Sequence, residues 1–203
     1  MHISWLGNTA IKLQAKPLDQ DITIIIDPYR PDHGEFPRSL MPDIGLYTRG
    51  EEGSITLSGN PFIISGPGEY ETKGALVSAL TQDDNNTLLR IDVEQLSIGH
   101  LGMIKKELTN DELEMLSEVD ILFVPVVDFD CLDAEKAAKI CNTIEPRIII
   151  PMAFKSDTDP KAQGVELFLK EMGAPKSEPE KKVIIKKKDL PAEETKVIVL
   201  AKE

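Results

Sequence analysis

Pro42-Asp43-Ile44-Gly45-Leu46-Tyr47-Thr48-Arg49-Gly50-Glu51-Glu52-Gly53-Ser54 is the stretch of this 203-residue chain on which both fold and function turn. Its first half is a short apolar run, predicting a strand over 44–48, and its second half is turn chemistry rich in glycine and charge. Upstream, 3–6, 10–13 and 22–26 are apolar or alternating runs separated by Gly7-Asn8 and Lys16-Pro17-Leu18-Asp19, which predicts a β-meander. Asp27-Pro28 ends the third run, and 29–43 is a loop rich in Pro, Asp and Gly.

Downstream, strands are expected at 61–64, 75–80, 87–91 and 95–98, with breaks at Gly66-Pro67-Gly68 and Asp83-Asp84-Asn85-Asn86. The pattern changes at Thr109-Asn110-Asp111-Glu112, a capping-box sequence that opens a helix to about residue 118. A buried strand over 120–126 follows, then a helix capped by Asp133 and running to about 143, and a buried strand over 147–151. A helix over 163–172 stops at Gly173, and the chain returns to strand at 182–187 and 195–200. Lys186-Lys187-Lys188 reads as a solvated strand edge. There is no internal repeat, and 177–182 is a short charged connection, so residues 1–203 are expected to form one domain. A β-rich first half followed by alternating helices and buried strands predicts an α+β, four-layer sandwich, two mixed β-sheets face to face with helices on the outer faces.

The composition, 41% hydrophobic and 29% charged, is that of a soluble globular protein, and no apolar run approaches the roughly 20 residues of a membrane span. Met1-His2-Ile3-Ser4-Trp5 lacks the features of a secretory leader, so a cytoplasmic location is expected. A net charge of -12 disfavours nucleic acid as a partner. Cys131 and Cys141 are too few for a disulfide framework, and with no histidine near them in sequence they offer no nucleophilic constellation. No Gly-x-Ser-x-Gly elbow is present, and Gly66-Pro67-Gly68 introduces no helix, so it is a turn and not a phosphate cradle.

The order of several motifs resembles the metallo-β-lactamase superfamily, in particular its branch of small ascorbate-phosphate-lactonase-like, Zn-dependent hydrolases. The carriers are Ile3-Ser4-Trp5-Leu6-Gly7-Asn8, Ile24-Ile25-Ile26-Asp27-Pro28, the 42–48 stretch and Gly66-Pro67-Gly68-Glu69-Tyr70-Glu71. Gly99-His100-Leu101-Gly102, the 119–126 run and Glu145-Pro146-Arg147-Ile148-Ile149-Ile150-Pro151-Met152 complete the series. The resemblance implies an αββα fold and a His-x-His-x-Asp-His cluster after the strand ending at Thr48, where imidazoles and a carboxylate hold one or two metal ions. At those positions stand Arg49, Glu51, Gly53 and Ser54. The bridging aspartate expected after His100-Leu101-Gly102 is Met103, the last histidine after Pro151-Met152 is Ala153, and 81–87 contains no histidine. The chain has three histidines in all, too few to rebuild a five-histidine centre elsewhere.

What remains is a candidate vestigial pocket of Asp27, Arg49, Glu51, Glu52, Glu69, His100, Met103 and Ala153. A guanidinium has no lone pair for a metal, so Arg49 is expected either to replace the metal's charge by pairing with Asp27, Glu51 or Glu69, or to be a plain loop arginine. The resemblance gives Asp27 the role of supporting the metal loop, whereas its place before Pro28 favours capping a turn. His100 reads as a structural histidine bonded to backbone, with a relic acid or base as the alternative. Glu51, Glu52, Glu69 and Glu71 could assemble an oxygen-rich cation site or be solvated surface groups. Asp128, Asp130 and Asp133 lack the glycine and distal glutamate of a calcium loop. The expectation is a non-catalytic binding, regulatory or scaffold protein with no cofactor. Two alternatives stand beside it. One is a hydrolase using zinc or manganese at a relocated carboxylate site, acting on a small phosphorylated or lactone-like substrate; the other is a metal-free enzyme with Glu51 or Glu69 as base. Related folds often dimerise, so a homo-oligomer is compatible with the resemblance.

Overall fold

The computed structural model describes residues 1–37, 40–83, 85–126, 132–176 and 178–203. Asp84, Asp128, Asp130 and Cys131, singled out in the sequence, lie outside the described residues.

The N-terminal meander forms β1 (His2–Gly7), β2 (Ala10–Ala15) and β3 (Ile22–Ile26), followed by β4 (Ile44–Leu46) and β5 (Phe62–Ile64). Then come β6 (Gly68–Thr72), β7 (Ala75–Asp83), β8 (Asn86–Val93), β9 (Leu96–His100), β10 (Ile121–Pro125), β11 (Ile148–Met152), β12 (Val183–Ile184) and β13 (Lys196–Val197). One sheet runs β12-β1-β2-β3-β4-β5 and the other β13-β11-β10-β9-β8-β7-β6. Both are mixed: β1 to β3 and β6 to β9 pair antiparallel, whereas β3-β4-β5 and β9-β10-β11-β13 pair parallel.

Strand alternation decides what each face buries. Ile3, Trp5, Ile11, Leu13, Ile24 and Ile26 point into the core shared with Val77, Leu89, Ile91 and Phe123 of the opposite sheet. Their neighbours Leu6, Ala10 and Ile25 form a separate cluster with Leu40, against which Tyr29, Phe36, Ile55 and Leu57 pack. The outer layer over the first sheet is thus laid down by the loops on either side of β4. Pro28, Pro31, Pro37 and Pro42 explain why the longer of them is not a helix, since each proline removes a backbone donor. Gly45 belongs to the same packing, because a Cβ there would lie 2.6 Å from Leu57 Cδ1.

Helices α1 (Asn110–Met115), α2 (Ala134–Ile144) and α3 (Glu166–Glu171) accompany the second sheet, where every residue of β10 and β11 is buried, as expected of parallel strands covered on both faces. Ala137, Ile140, Cys141 and Ile144 make the apolar stripe of α2. Burial pushes the Cys141 thiol up to about 12, so it behaves as an inert core group. Among the described residues no helix is long and apolar enough to cross a membrane.

Both N-caps are where the sequence puts them: Thr109 and Glu112 close a reciprocal capping box, and Asp133 accepts from Lys136 N at 2.9 Å. Five expectations need correction. The first helix stops at Met115 and not near 118, where Arg90 Nη1 donates to Met115 O (3.0 Å) and Ser117 O (2.8 Å) and so satisfies its terminal carbonyls. The last helix begins at Glu166 and not 163, since Gln163 O is already engaged by Lys155 N and Gly164 is a poor helix former. No strand is expected over 68–72, yet β6 forms there as an exposed edge despite its glutamates. The terminal strands are two residues each, and Lys187 is no edge guard: it sits in a short 3-10 turn with Nζ 2.8 Å from both oxygens of Asp120.

Candidate functional site

Strand ends from both sheets meet at one rim, and Asn8 is the residue that ties them. It follows β1 with φ 46°, a left-handed conformation that asparagine tolerates better than most side chains. Its carbonyl accepts Trp5 Nε1 at 2.7 Å and Ala153 N at 2.9 Å, joining β1 to the end of β11. Its Oδ1 accepts Thr9 N at 2.9 Å and Arg49 Nη2 at 3.4 Å, while Nδ2 donates to Asp159 Oδ2 at 3.3 Å. The only signal for Asn8 in the sequence is the Gly7-Asn8 turn, which suggests a bend and no further role.

Asp27 ends β3, also left-handed at φ 47° and only 6% exposed. Its carboxylate accepts Thr48 N at 2.7 Å and Thr48 Oγ1 at 2.6 Å, which fixes the residue immediately before Arg49. Among the described residues the carboxylate bonds to Thr48 and not to the turn at Pro28, where the sequence favoured a cap. Thr48 O in turn accepts Thr87 N at 2.7 Å, so the first sheet is latched to β8.

Arg49 is exposed, and its Nη2 donates to two neutral oxygens, Asn8 Oδ1 and Thr9 Oγ1 (3.3 Å). Among the described residues it makes no ion pair, so the expected pairing with Asp27, Glu51 or Glu69 is not present. Asp27 spends its charge on Thr48, and Glu51 accepts from Ser65 Oγ at 3.3 Å. Glu69 and Glu71 are exposed on edge strand β6 and are not among the lining of a cavity of about 390 Å³ that Glu52 shares with Asn8, Asp27, Tyr29 and Arg49. The Tyr29 hydroxyl donates to Thr158 Oγ1 at 2.7 Å, and burial pushes its pKa up to about 12, so it stays protonated. The four glutamates are not brought together, and among the described residues no group of three or more His, Cys, Asp or Glu is disposed to hold a metal ion.

Met103 and Ala153, at two expected ligand positions, do converge. They pack against each other with Ala162 at their side, and Ala153 is fully buried at φ 60°. Asn86 holds the turn before Met103: its Nδ2 donates to Leu101 O at 3.1 Å and its Oδ1 accepts Met103 N at 2.9 Å. Gly102, at φ +58°, leaves Asn86 the room to do this, because a Cβ there would collide with Asn86 Oδ1. A thioether, a methyl group and a guanidinium are not the donor set of a zinc or manganese centre, so the residues at these positions do not fit the metal the resemblance implies.

His100 has both ring nitrogens engaged by backbone. Nδ1 accepts Gly102 N at 3.1 Å, which makes Nε2 the protonated nitrogen that donates to Thr9 O at 3.0 Å. Burial depresses its pKa, with Arg49 adding to the effect and Asp27 opposing it. A depressed imidazole stays neutral in the fold while the unfolded chain takes up a proton below 6.5, so its contribution to stability is full above 6.5 and is lost as pH falls through the folded pKa. Urea titrations are expected to show wild-type stability falling below pH 6.5 by up to about 1.4 kcal/mol per pH unit more than that of His100→Gln. Equal slopes in the two proteins between pH 6.5 and 5 would show that the imidazole is not held neutral.

Residues 2–153 match the family described as a beta-lactamase superfamily domain. No curated protein matches the chain. Among solved structures, a protein assigned as a Zn-dependent hydrolase of the metallo-β-lactamase superfamily from Thermotoga maritima shares 24% identity and a TM-score of 0.83, over 99% of each chain. The metallo hydrolase Igni18 from Ignicoccus hospitalis is similar at 15% identity and TM-score 0.65, over 90% of this chain and 97% of that one. An isothiocyanate hydrolase from Delia radicum gut bacteria is similar at 12% identity and TM-score 0.61, over 100% and 97%.

Proposed function

Because the chain belongs to the beta-lactamase superfamily domain family while its ligand positions carry the wrong chemistry, we propose that it is a non-catalytic member that binds a ligand or partner at the former metal rim. The observation that carries this reading is the buried Met103–Ala153 contact. It places hydrocarbon and a thioether where the family fold would put hard and borderline metal ligands, and burial makes that contact part of the core. Arg49 supports it, because a permanent cation at the mouth opposes entry of a second one. The hydrolase alternative needs a carboxylate cluster, and among the described residues none is assembled.

Metal content and thermal melts test the proposal. Protein purified without chelators is expected to carry substoichiometric zinc and manganese, and its melting temperature is expected to be the same with added zinc, manganese or EDTA. A resident metal at a hundred times its Kd would add about 2.7 kcal/mol, which for a chain of this size moves Tm by roughly 5–10 °C. Stoichiometric metal, or an EDTA-induced drop of that order, would overturn the reading.

A further inference from the structure

We propose that the cavity beside Arg49 is a binding site for a small oxyanion, a phosphate or a carboxylate group, with the guanidinium as its recognition element. This rests on the reading of the rim as a binding site and names the chemistry it would take. The cavity is about 390 Å³, the size of a small-molecule site, and among the described residues its charged lining groups are Asp27, Arg49 and Glu52. Asp27 faces inward, with both oxygens occupied by Thr48. Among the described residues Arg49 is the one cation of the lining, and it is held without an ion pair. Nη2 is anchored on Asn8 Oδ1 and Thr9 Oγ1, while Nε and Nη1 have no partner among the described residues. That arrangement orients the guanidinium and leaves the N–H groups of Nε and Nη1, which point in different directions, as charge-assisted donors to an oxyanion.

The anchoring is itself built. Asn8 is fixed through its carbonyl by Trp5 and Ala153 and through its amide by Asp159, so the Oδ1 that receives Arg49 is not free to swing away. The other walls carry the neutral polar side chains Ser54 and Asn85, neither of which spends its side chain on a hydrogen bond among the described residues. Gly50 and Gly53, at φ +73° and +75°, line the same cavity, and a Cβ on either would meet nothing within 4 Å. They are required for the turn and leave the mouth unobstructed. Glu52 works against an anion, and the net charge of -12 gives no long-range attraction, so affinity on the order of 1 mM is expected.

The test is calorimetric titration of the full chain with sodium phosphate and, in a separate arm, sodium acetate, at ionic strength held constant with sodium chloride. Trp5, the only tryptophan, donates to Asn8 and gives a fluorescence readout beside the site. Saturable binding of phosphate, acetate or both is expected, and the arm that saturates identifies the oxyanion. R49Q is expected to weaken it at least tenfold, R49K to retain part of it, and E52Q to tighten it several-fold. Saturation by neither anion, or equal affinity in wild type, R49Q and E52Q, would overturn the proposal while leaving the non-catalytic reading intact. Anion binding that survives R49Q but disappears with EDTA would mean that a metal holds the anion, and would overturn both.

Discussion

Trp5→Ala is expected to lower the free energy of unfolding by about 4 kcal/mol, read as a shift of the urea midpoint by far-ultraviolet circular dichroism. Trp5 is 1% exposed, so truncation leaves a cavity that the surrounding sheet cannot fill by side-chain adjustment alone. Its ring lies 4.3 Å from that of Phe154, centroid to centroid, and its Nε1 donates to Asn8 O. Losing the indole therefore removes core packing, a ring contact and one of the two bonds that fix the Asn8 carbonyl. Against a typical total of 5–15 kcal/mol, a loss of this size takes a large share of the stability. Trp5→Phe separates the parts: it keeps an aromatic ring over Phe154 and deletes only the N–H and some volume, so a loss of about 1–2 kcal/mol is expected. A cost below about 1 kcal/mol for Trp5→Ala would mean that β1 and the segment after β11 are not coupled through this residue.

The frame of the molecule was legible because local signals and long-range pairing agree in it. The Ile24-Ile25-Ile26 run and the Ile148-Ile149-Ile150 run can only be buried on both faces, and each became a strand interior to its sheet. The capping box at Thr109 is a short-range device that needs no tertiary context, and it formed as written. The misses come from residues whose partners lie far away in sequence. Arg90 ends α1 from a strand more than twenty residues upstream, and Lys187 reaches across to Asp120, 67 positions away. Neither pairing leaves a trace in composition or periodicity. The rim was legible as a set of substituted positions, since Met103 and Ala153 stand out wherever a histidine or aspartate is expected. What those residues do together was not, because an apolar contact between positions 103 and 153 depends on β9 and β11 being laid on either side of β10 in one sheet, a pairing of strands some fifty residues apart. Asn8 was invisible for the same reason: its role is a sum of bonds to Trp5, Arg49, Ala153 and Asp159.

Asp27→Ala is the other substitution expected to be costly, by about 3 kcal/mol, and it tests whether the rim is a deliberate construction. Three non-glycine residues at the rim, Asn8, Asp27 and Ala153, hold positive φ, and such backbone persists only where neighbouring bonds over-determine it. At Asp27 the restraint is visible: one carboxylate takes both the N–H and the hydroxyl of Thr48. Alanine would leave that buried N–H unpaired, and it is less suited than aspartate to a left-handed backbone. Asp27→Asn keeps one acceptor for the Thr48 N–H and is expected to cost about 1 kcal/mol. A double-mutant cycle with Thr48→Val should return a coupling energy of at least about 1 kcal/mol. Because Thr48 precedes Arg49, Asp27→Asn should also loosen the guanidinium and weaken phosphate binding while the chain remains folded. If Asp27→Ala costs less than 1 kcal/mol and the cycle shows no coupling, Asp27 is a simple turn residue, and the strain at the rim then has no structural purchase on Arg49.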